Sequence, residues 1–197
     1  MPVTLDAISG ALQEPAQRLT FPDADRAAVS AVLTPDLDLL FIERAAWEGD
    51  PWSGHVSFPG GRMEPIDPDP LQAAIRETEE ELGVTLSPAM LLGELDEVPT
   101  IAPLPRLLVR PHVFVLPERP LVVPNREVAA VHLRPLEALL AGVGRGTMTY
   151  PFQGHELTLP CVRFDGVCLW GLTLRMVDDL LHRLDGRGLG LDRPTRG

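Results

Sequence analysis

The sequence predicts an α/β protein, a mixed β-sheet covered on its faces by a few helices, in one domain spanning residues 1–197. Three observations predict it. Short apolar runs of strand length outnumber helical stretches along the chain. One strongly delimited helix, from Asp69 to Gly83, interrupts them, and an amphipathic segment from Leu172 to Leu184 closes the chain. Length and composition, 197 residues at 45% hydrophobic and 23% charged, suit one domain with a sizeable core.

In chain order, Leu5, Ile8, Leu12 and Leu19 have spacings compatible with a helix from Leu5 to Leu19, within an N-terminal helical extension over residues 1–25. "AAVSAVL" and "LDLLFIERA" read as strands around the turn "TPDLD". The central helix has Asp69 as N-cap, Pro70 at its first position and Gly83 just past its end. "LLGELDEV", "LLVRPHVFVL" and "EVAAVHL" read as strands and "PLEALLA" as a short helix. "ELTLPCVRF" and "VCLWG" form a hairpin about Asp165-Gly166. The segment "GRGLGLDRPTRG", residues 186–197, reads as a flexible tail.

Composition narrows the functional classes. A net charge of −11 disfavours a nucleic-acid partner, and no apolar run is long enough to span a bilayer. The N-terminus lacks the pattern of a secretory signal, so a cytoplasmic location is expected. Cys161 and Cys168 are then expected as reduced core thiols. All 17 basic side chains are arginine, so any cationic side chain that holds phosphate is a guanidinium fork. A homodimer is compatible with the sequence, which does not specify one.

The chemistry concentrates in "SFPGGRMEPIDPDPLQAAIRETEEELGV", Ser57 to Val84. At roughly 100° per residue, Glu77, Glu80 and Glu81 fall within about a third of the helix circumference. Leu71, Ala74, Ile75, Thr78 and Leu82 form a separate apolar face. Such a run is usually a solvated face. Here the like charges repel at i, i+3 and i, i+4, and Glu80 and Glu81 lie in the last turn, where the helix dipole disfavours anions. A hard divalent cation, Mg²⁺ or Mn²⁺, resolves both conflicts. The preceding Gly60-Gly61 pair lets the backbone approach a ligand and offer it a carbonyl oxygen.

These residues resemble the Nudix box. From Gly61 the chain has Asp67 where the box carries Glu, eight intervening residues where it has seven, then "RETEEELGV", with Thr78 at an apolar position. The acid and the insertion are similar to the coenzyme A pyrophosphatase branch. The upstream stretch "LFIERAAWEGDPWSGHVSFPGG" resembles that branch's second signature at Leu40, Arg44, Ala45, Gly54, Phe58, Pro59, Gly60 and Gly61. The signature's internal Arg is missing, with Gly49 and Asp50 near its place. "VPNREVAAVHLRPLEALL" and "VCLWGLT" are similar to later segments of the branch.

The resemblance implies a Nudix fold, an α/β/α sandwich with a mixed sheet and a loop-helix-loop box. It implies hydrolysis of coenzyme A or its derivatives to 3′,5′-ADP and 4′-phosphopantetheine. Two alternatives stay open: hydrolysis of ADP-ribose, dinucleotides or nucleoside triphosphates, and a non-catalytic ligand-sensing module. Carried over by position, Glu77, Glu80 and Glu81 are metal ligands, assisted by the Gly60 or Gly61 carbonyl, and Arg76 holds a carboxylate in place. The general base is one of the box glutamates or Glu127, which reads equally as an exposed strand-start carboxylate. Arg44, Gly54, His55, Phe58, Arg62 and Met63 are expected on the substrate side, with Phe58 and Met63 the candidates for adenine or pantetheine. His112 reads as a satisfied sheet histidine and Trp170 as core packing.

Overall fold

The structure is a computed structural model that describes residues 2–21, 23–50, 52–100, 106–152 and 154–191. The main sheet is built on β1 (Asp25–Leu33), β2 (Asp38–Arg44) and β7 (Leu107–Val115). β1 and β7 run parallel over nine residue pairs, from Asp25 opposite Leu107 to Leu33 opposite Val115. The short strands β3 (Val56–Ser57), β4 (Gly60–Arg62), β5 (Leu91–Glu94) and β6 (Val98–Pro99) add antiparallel, as does the longer β8 (Val128–Pro135). A second sheet joins β9 (Arg145–Phe152), β10 (His155–Phe164) and β11 (Val167–Leu169).

Helices cover both faces of the main sheet. On one lies α2 (Pro70–Leu82), seated on Ala28 through Ala73 and Ala74. The Ser30 hydroxyl donates to the Ala74 carbonyl at 3.1 Å, and the Thr78 hydroxyl, 2.8 Å from Ser30 Oγ, donates within the same buried network. Thr78 at the apolar position of the box is therefore buried with its polar group satisfied, which removes the cost of placing it there. The other face packs Ala31, Leu33, Leu39, Phe41 and Val113 against α4 (Gly171–Asp185) and α1 (Leu5–Ala11), through Leu174, Val177, Leu180, Leu181 and Ile8. The short helix α3 (Leu136–Leu140) adds Leu136 and Leu139 to the same core. This is the α/β/α sandwich expected from the sequence.

Local chemistry explains the boundaries. The Asp69 side chain accepts from the Gln72 N–H, Pro70 begins α2, and Gly83 ends it at φ 66°, a left-handed value that costs glycine little. The hairpin at Asp165-Gly166 has positive φ at both residues, the geometry of a two-residue turn. The N-terminal helix stops at Ala11, well short of Leu19, because the Pro15 ring would clash with the carbonyl four residues earlier. The chain beyond it is tied down by side chains: Gln17 N–H donates to Asp96, Leu19 N–H to Glu97, and Arg183 to the Glu14 carbonyl. "LLGELDEV" is divided between β5 and β6, and β9 is a strand that the sequence reading left unassigned.

Residues 186–191 correct the expected tail. They are docked: Arg145 donates to the Gly188 carbonyl at 2.6 Å, the Leu189 N–H donates to Asp178, and Leu189 and Leu191 pack on the core. The rest of that segment, 192–197, lies outside the described residues. Cys161 and Cys168 are both free thiols. Among the described residues no helix is long and apolar enough to cross a membrane.

Candidate active site

β4 pairs with β1 and delivers the glycine pair beneath α2. The two glycines meet different neighbours. Gly60 has φ 144°, and a Cβ there would lie 2.3 Å from the Ala28 carbonyl oxygen. At Gly61 a Cβ would lie 2.5 Å from the Glu77 carboxyl carbon, so only a glycine lets that carboxylate lie on the β4 backbone.

Glu81 is 2% exposed, and the Gly60 N–H donates to its Oε2 at 2.8 Å. Burial pushes its carboxyl up to about 7, against the pull of that single donor, and the Glu77 and Glu127 charges push the same way. Burial also raises the Glu77 carboxyl, with Arg76 opposing. Glu80, with a side chain 57% exposed, faces outward from the same stretch of helix. The C-terminal end of α2 is fixed to the segment before β8 by backbone bonds from Val123 N–H to Leu82 O and from Asn125 N–H to Glu81 O, both 2.8 Å. That stitching brings the exposed Glu127 within electrostatic reach of Glu77 and Glu81.

Arg76 organises the acids. Its Nε and Nη2 donate to the two oxygens of Asp67 at 3.0 and 2.9 Å, and its Nη1 donates to Glu77 at 3.0 Å and reaches Glu80 at 3.4 Å. Asp67 is held well below the usual carboxylate range, chiefly by the Arg76 hydrogen bonds. The loop with one extra residue thus still delivers an acid to the box arginine: the Glu64 N–H donates to Asp67 and the Asp67 N–H to the Glu64 carbonyl, closing a compact turn.

Among the described residues, no three His, Cys, Asp or Glu side chains are gathered into a ready metal cage. Glu77 and Glu80 turn to Arg76, and Glu81 to the Gly60 N–H. The donor chemistry nevertheless fits a hard divalent ion. Three carboxylates project from one stretch of helix beside a glycine strand, and the most buried of them has one hydrogen-bond donor for two oxygens.

The expected substrate residues separate into two groups. Arg44, Gly54 and His55 bound a loop on the same side as Glu127: the Gly54 N–H donates to the Arg44 carbonyl, and Arg44 Nη2 bonds Asp50 at 3.1 Å. His55 lies edge-on to Trp170 at 4.7 Å, and Trp170 also contacts Tyr150 at 4.7 Å, so Trp170 sits between two rings. Phe58 is placed differently from the expectation. It is 1% exposed and stacked on Phe41 at 5.1 Å, so its ring offers no face to a ligand. Met63 packs on the Ala28, Ala73 and Ala74 cluster, and Arg62 pairs with Asp25. His112 is 1% exposed with Nε2 3.1 Å from Glu94 Oε1, outside hydrogen-bond geometry. Burial, then Arg110 and Arg18, lower its pKa to about 4, so the ring is neutral.

Sequence reasoning missed three residues here. Trp47, Asp50 and Arg126 join Arg44 and Glu127 around a groove of about 260 Å³. Trp47, in a loop that carries Gly49 and Gly54, was the available signal.

Comparison with known proteins agrees with this geometry. Residues 24–149 match the NUDIX domain. The chain is 32% identical over 171 residues to the human mitochondrial coenzyme A diphosphatase NUDT8, covering 81% of this chain and 70% of that protein. It is 33% identical over 153 residues to the uncharacterized Nudix hydrolase NudL of Cronobacter sakazakii, covering 77% of this chain and 78% of that one. An uncharacterized Schizosaccharomyces pombe protein, C14C4.10c, is 38% identical over 108 residues, 52% of this chain and 33% of its own length. The chain thus spans only about a third of that relative. A MutT protein of Methanosarcina mazei matches in fold with TM-score 0.50 at 18% identity, covering 62% of this chain and 85% of that one. With its domain match spanning more than half the chain and its box set on a helix against a glycine strand, the chain belongs to the Nudix hydrolase family.

Proposed function

We propose that the protein hydrolyses the diphosphate of coenzyme A and its derivatives, releasing 3′,5′-ADP and 4′-phosphopantetheine. The observation that carries this reading is the 32% identity to a coenzyme A diphosphatase over 81% of the chain, in a protein where Glu127, on the wall of a groove, lies within electrostatic reach of the box carboxylates Glu77 and Glu81. The loop from Arg44 to Gly54, which resembles the coenzyme A branch's second signature, forms one wall of that groove.

Glu77, Glu80 and Glu81 would hold Mg²⁺ or Mn²⁺, with the Gly60 or Gly61 carbonyl assisting. Such an ion supplies charge neutralisation of the diphosphate and acidifies water. The chain's own residues do the rest. Arg76, locked by Asp67, holds Glu77 and Glu80 at the helix surface. The Gly60 N–H fixes the orientation of Glu81. Glu127, exposed and beside the triad, accepts the proton from the attacking water and passes it to solvent. Arg44 lines the approach, and His55, on the same loop, packs against Trp170.

The test is a product-resolved assay of coenzyme A, dephospho-coenzyme A, ADP-ribose and a diadenosine polyphosphate, with Mg²⁺, with Mn²⁺ and with chelator. Metal-dependent release of 3′,5′-ADP, with coenzyme A highest in kcat/KM, is expected. Cleavage of ADP-ribose or the dinucleotide at a higher kcat/KM would replace this reading with the broader Nudix one.

A further inference from the structure

We propose that Arg126 and Trp47 form a clamp for the nucleotide end of the substrate, with Arg126 binding a phosphomonoester that is not cleaved and Trp47 stacking on the base. The inference rests on the coenzyme A reading and names the residues that would distinguish that substrate from one lacking the extra phosphate.

The two residues are distant in sequence and meet through the sheet. β2 pairs with β8 so that Arg44 lies opposite Val128, and the Ala45 N–H donates to the Glu127 carbonyl at 2.8 Å. This pairing sets the loop after β2 against the segment before β8. The Arg126 guanidinium carbon lies 5.8 Å from the centre of the Trp47 ring. Trp47 is braced from behind: its N–H donates to Ser53 Oγ at 3.0 Å, and the same hydroxyl donates to the Trp47 carbonyl at 2.8 Å. The backbone is fixed while the indole remains 50% exposed. A large apolar plate held half in water gains free energy when a flat ring covers it.

Charge selects the ligand. The protein carries −11 overall, and the groove adjoins the acidic stretch of α2, so a phosphate away from the metal meets repulsion unless a cation answers it. Two cations line the groove. Arg44 is engaged, its Nη2 bonded to Asp50, which also accepts from the Trp52 N–H. Arg126 forms no ion pair with any described carboxylate, and its guanidinium lies over the Trp47 ring. Its guanidinium keeps its donors available for a phosphate fork while its face rests near the indole. Asp50 stands near the place where the resembling signature carries an arginine, so Arg126 supplies from the opposite wall a cation that the loop lacks.

The experiment compares wild type with Arg126→Ala, Arg126→Lys and Trp47→Ala, each checked for an unchanged melting temperature. Two readouts are used. The first is the ratio of kcat/KM for coenzyme A to that for dephospho-coenzyme A. Loss of a charge-assisted phosphate contact is expected to lower this ratio by roughly 10–100-fold in Arg126→Ala, with partial recovery in Arg126→Lys. Trp47→Ala is expected to raise KM for both substrates and leave the ratio near the wild-type value. The second readout is tryptophan fluorescence of metal-free protein titrated with 3′,5′-ADP or AMP. Wild type is expected to bind 3′,5′-ADP more tightly, and Arg126→Ala to lose that preference. An unchanged substrate ratio and equal binding of both nucleotides by wild type and Arg126→Ala would overturn the clamp. Absence of coenzyme A hydrolysis in wild type would instead overturn the proposed function, and the clamp would then stand or fall on the binding preference alone.

Discussion

Replacing each of the two adjacent glycines by alanine separates stability from catalysis. At Gly60 the added Cβ would stand 2.3 Å from the Ala28 carbonyl oxygen and 2.6 Å from Val29 Cα, both backbone atoms of the neighbouring strand, and φ is 144°. Nothing there can swing aside. Backbone strain of about 1–3 kcal/mol adds to an overpacking cost of about 1–3 kcal/mol. Gly60→Ala is therefore expected to lose about 3 kcal/mol, a fall in Tm of roughly 6–12 °C for a domain of this size. At Gly61 no left-handed φ is involved, and the nearest atoms the Cβ would meet are those of the Glu77 carboxylate, at 2.5 to 2.7 Å. That group ends a flexible side chain and can turn away, giving up its 3.0 Å bond from Arg76. Losing that bond costs about 1 kcal/mol, and the stiffer unfolded chain returns about 0.4–1 kcal/mol. The melting temperature should hardly move. Activity should fall about 10–100-fold, with more Mg²⁺ needed for half-maximal rate, because a displaced carboxylate no longer serves as a ligand. Differential scanning fluorimetry and a metal titration of initial rates give both quantities. Equal losses of Tm in the two variants, or full activity with an unchanged metal titration in Gly61→Ala, would refute the reasoning.

Two further expectations follow from groups outside the helix. Glu127→Gln should lower kcat by about 10²–10⁴-fold with substrate affinity and melting temperature preserved if Glu127 is the base, whereas recovery at saturating Mg²⁺ would make it a ligand and no change would return the proton to the box glutamates. His112 titrates at about 4 in the fold, below its ordinary 6.5, because burial and then Arg110 and Arg18 disfavour the cation against the opposing Asp69 charge, with the Glu94 carboxylate adjacent. Its contribution is constant above pH 6.5, and stability falls as pH drops towards 4, because the unfolded chain takes up a proton that the fold refuses. The shift corresponds to up to about 3 kcal/mol, so His112→Gln should flatten the Tm profile over that interval, and a profile as steep as wild type would refute it.

The contrast between what the sequence revealed and what it hid follows the length scale of each signal. The box helix α2 was legible because its determinants are local: Asp69 caps it, Pro70 starts it, Gly83 ends it, and the glutamate stripe follows from helical period. The hairpin at Asp165-Gly166 was legible for the same reason. β9 was not, because most of its residues are exposed and it carries a glycine and a proline, so no clean apolar alternation marks it. The helix expected to run to Leu19 followed periodicity across Pro15 and overlooked a steric stop. Phe58 was expected at the ligand because it adjoins the glycine pair, yet adjacency in sequence does not tell which side of the strand it faces. Its stacking on Phe41 belongs to the core.

The proposed recognition residues depend on pairing between β2 and β8, which brings the loop after Arg44 to the segment before Val128. No periodicity within either segment encodes that contact. The same division separates the activity common to the family from substrate choice. Diphosphate chemistry needs carboxylates at fixed helical spacing, and a contiguous motif can specify that. Discrimination between nucleotides needs groups on opposite walls of a groove, and each wall can change without disturbing α2. Arg126 and Asp50 illustrate the consequence: an acid stands on one wall near the motif's missing arginine, while an arginine stands on the other. Under the proposed clamp, substitution of Arg126 would alter which substrate is accepted while the box retains its chemistry.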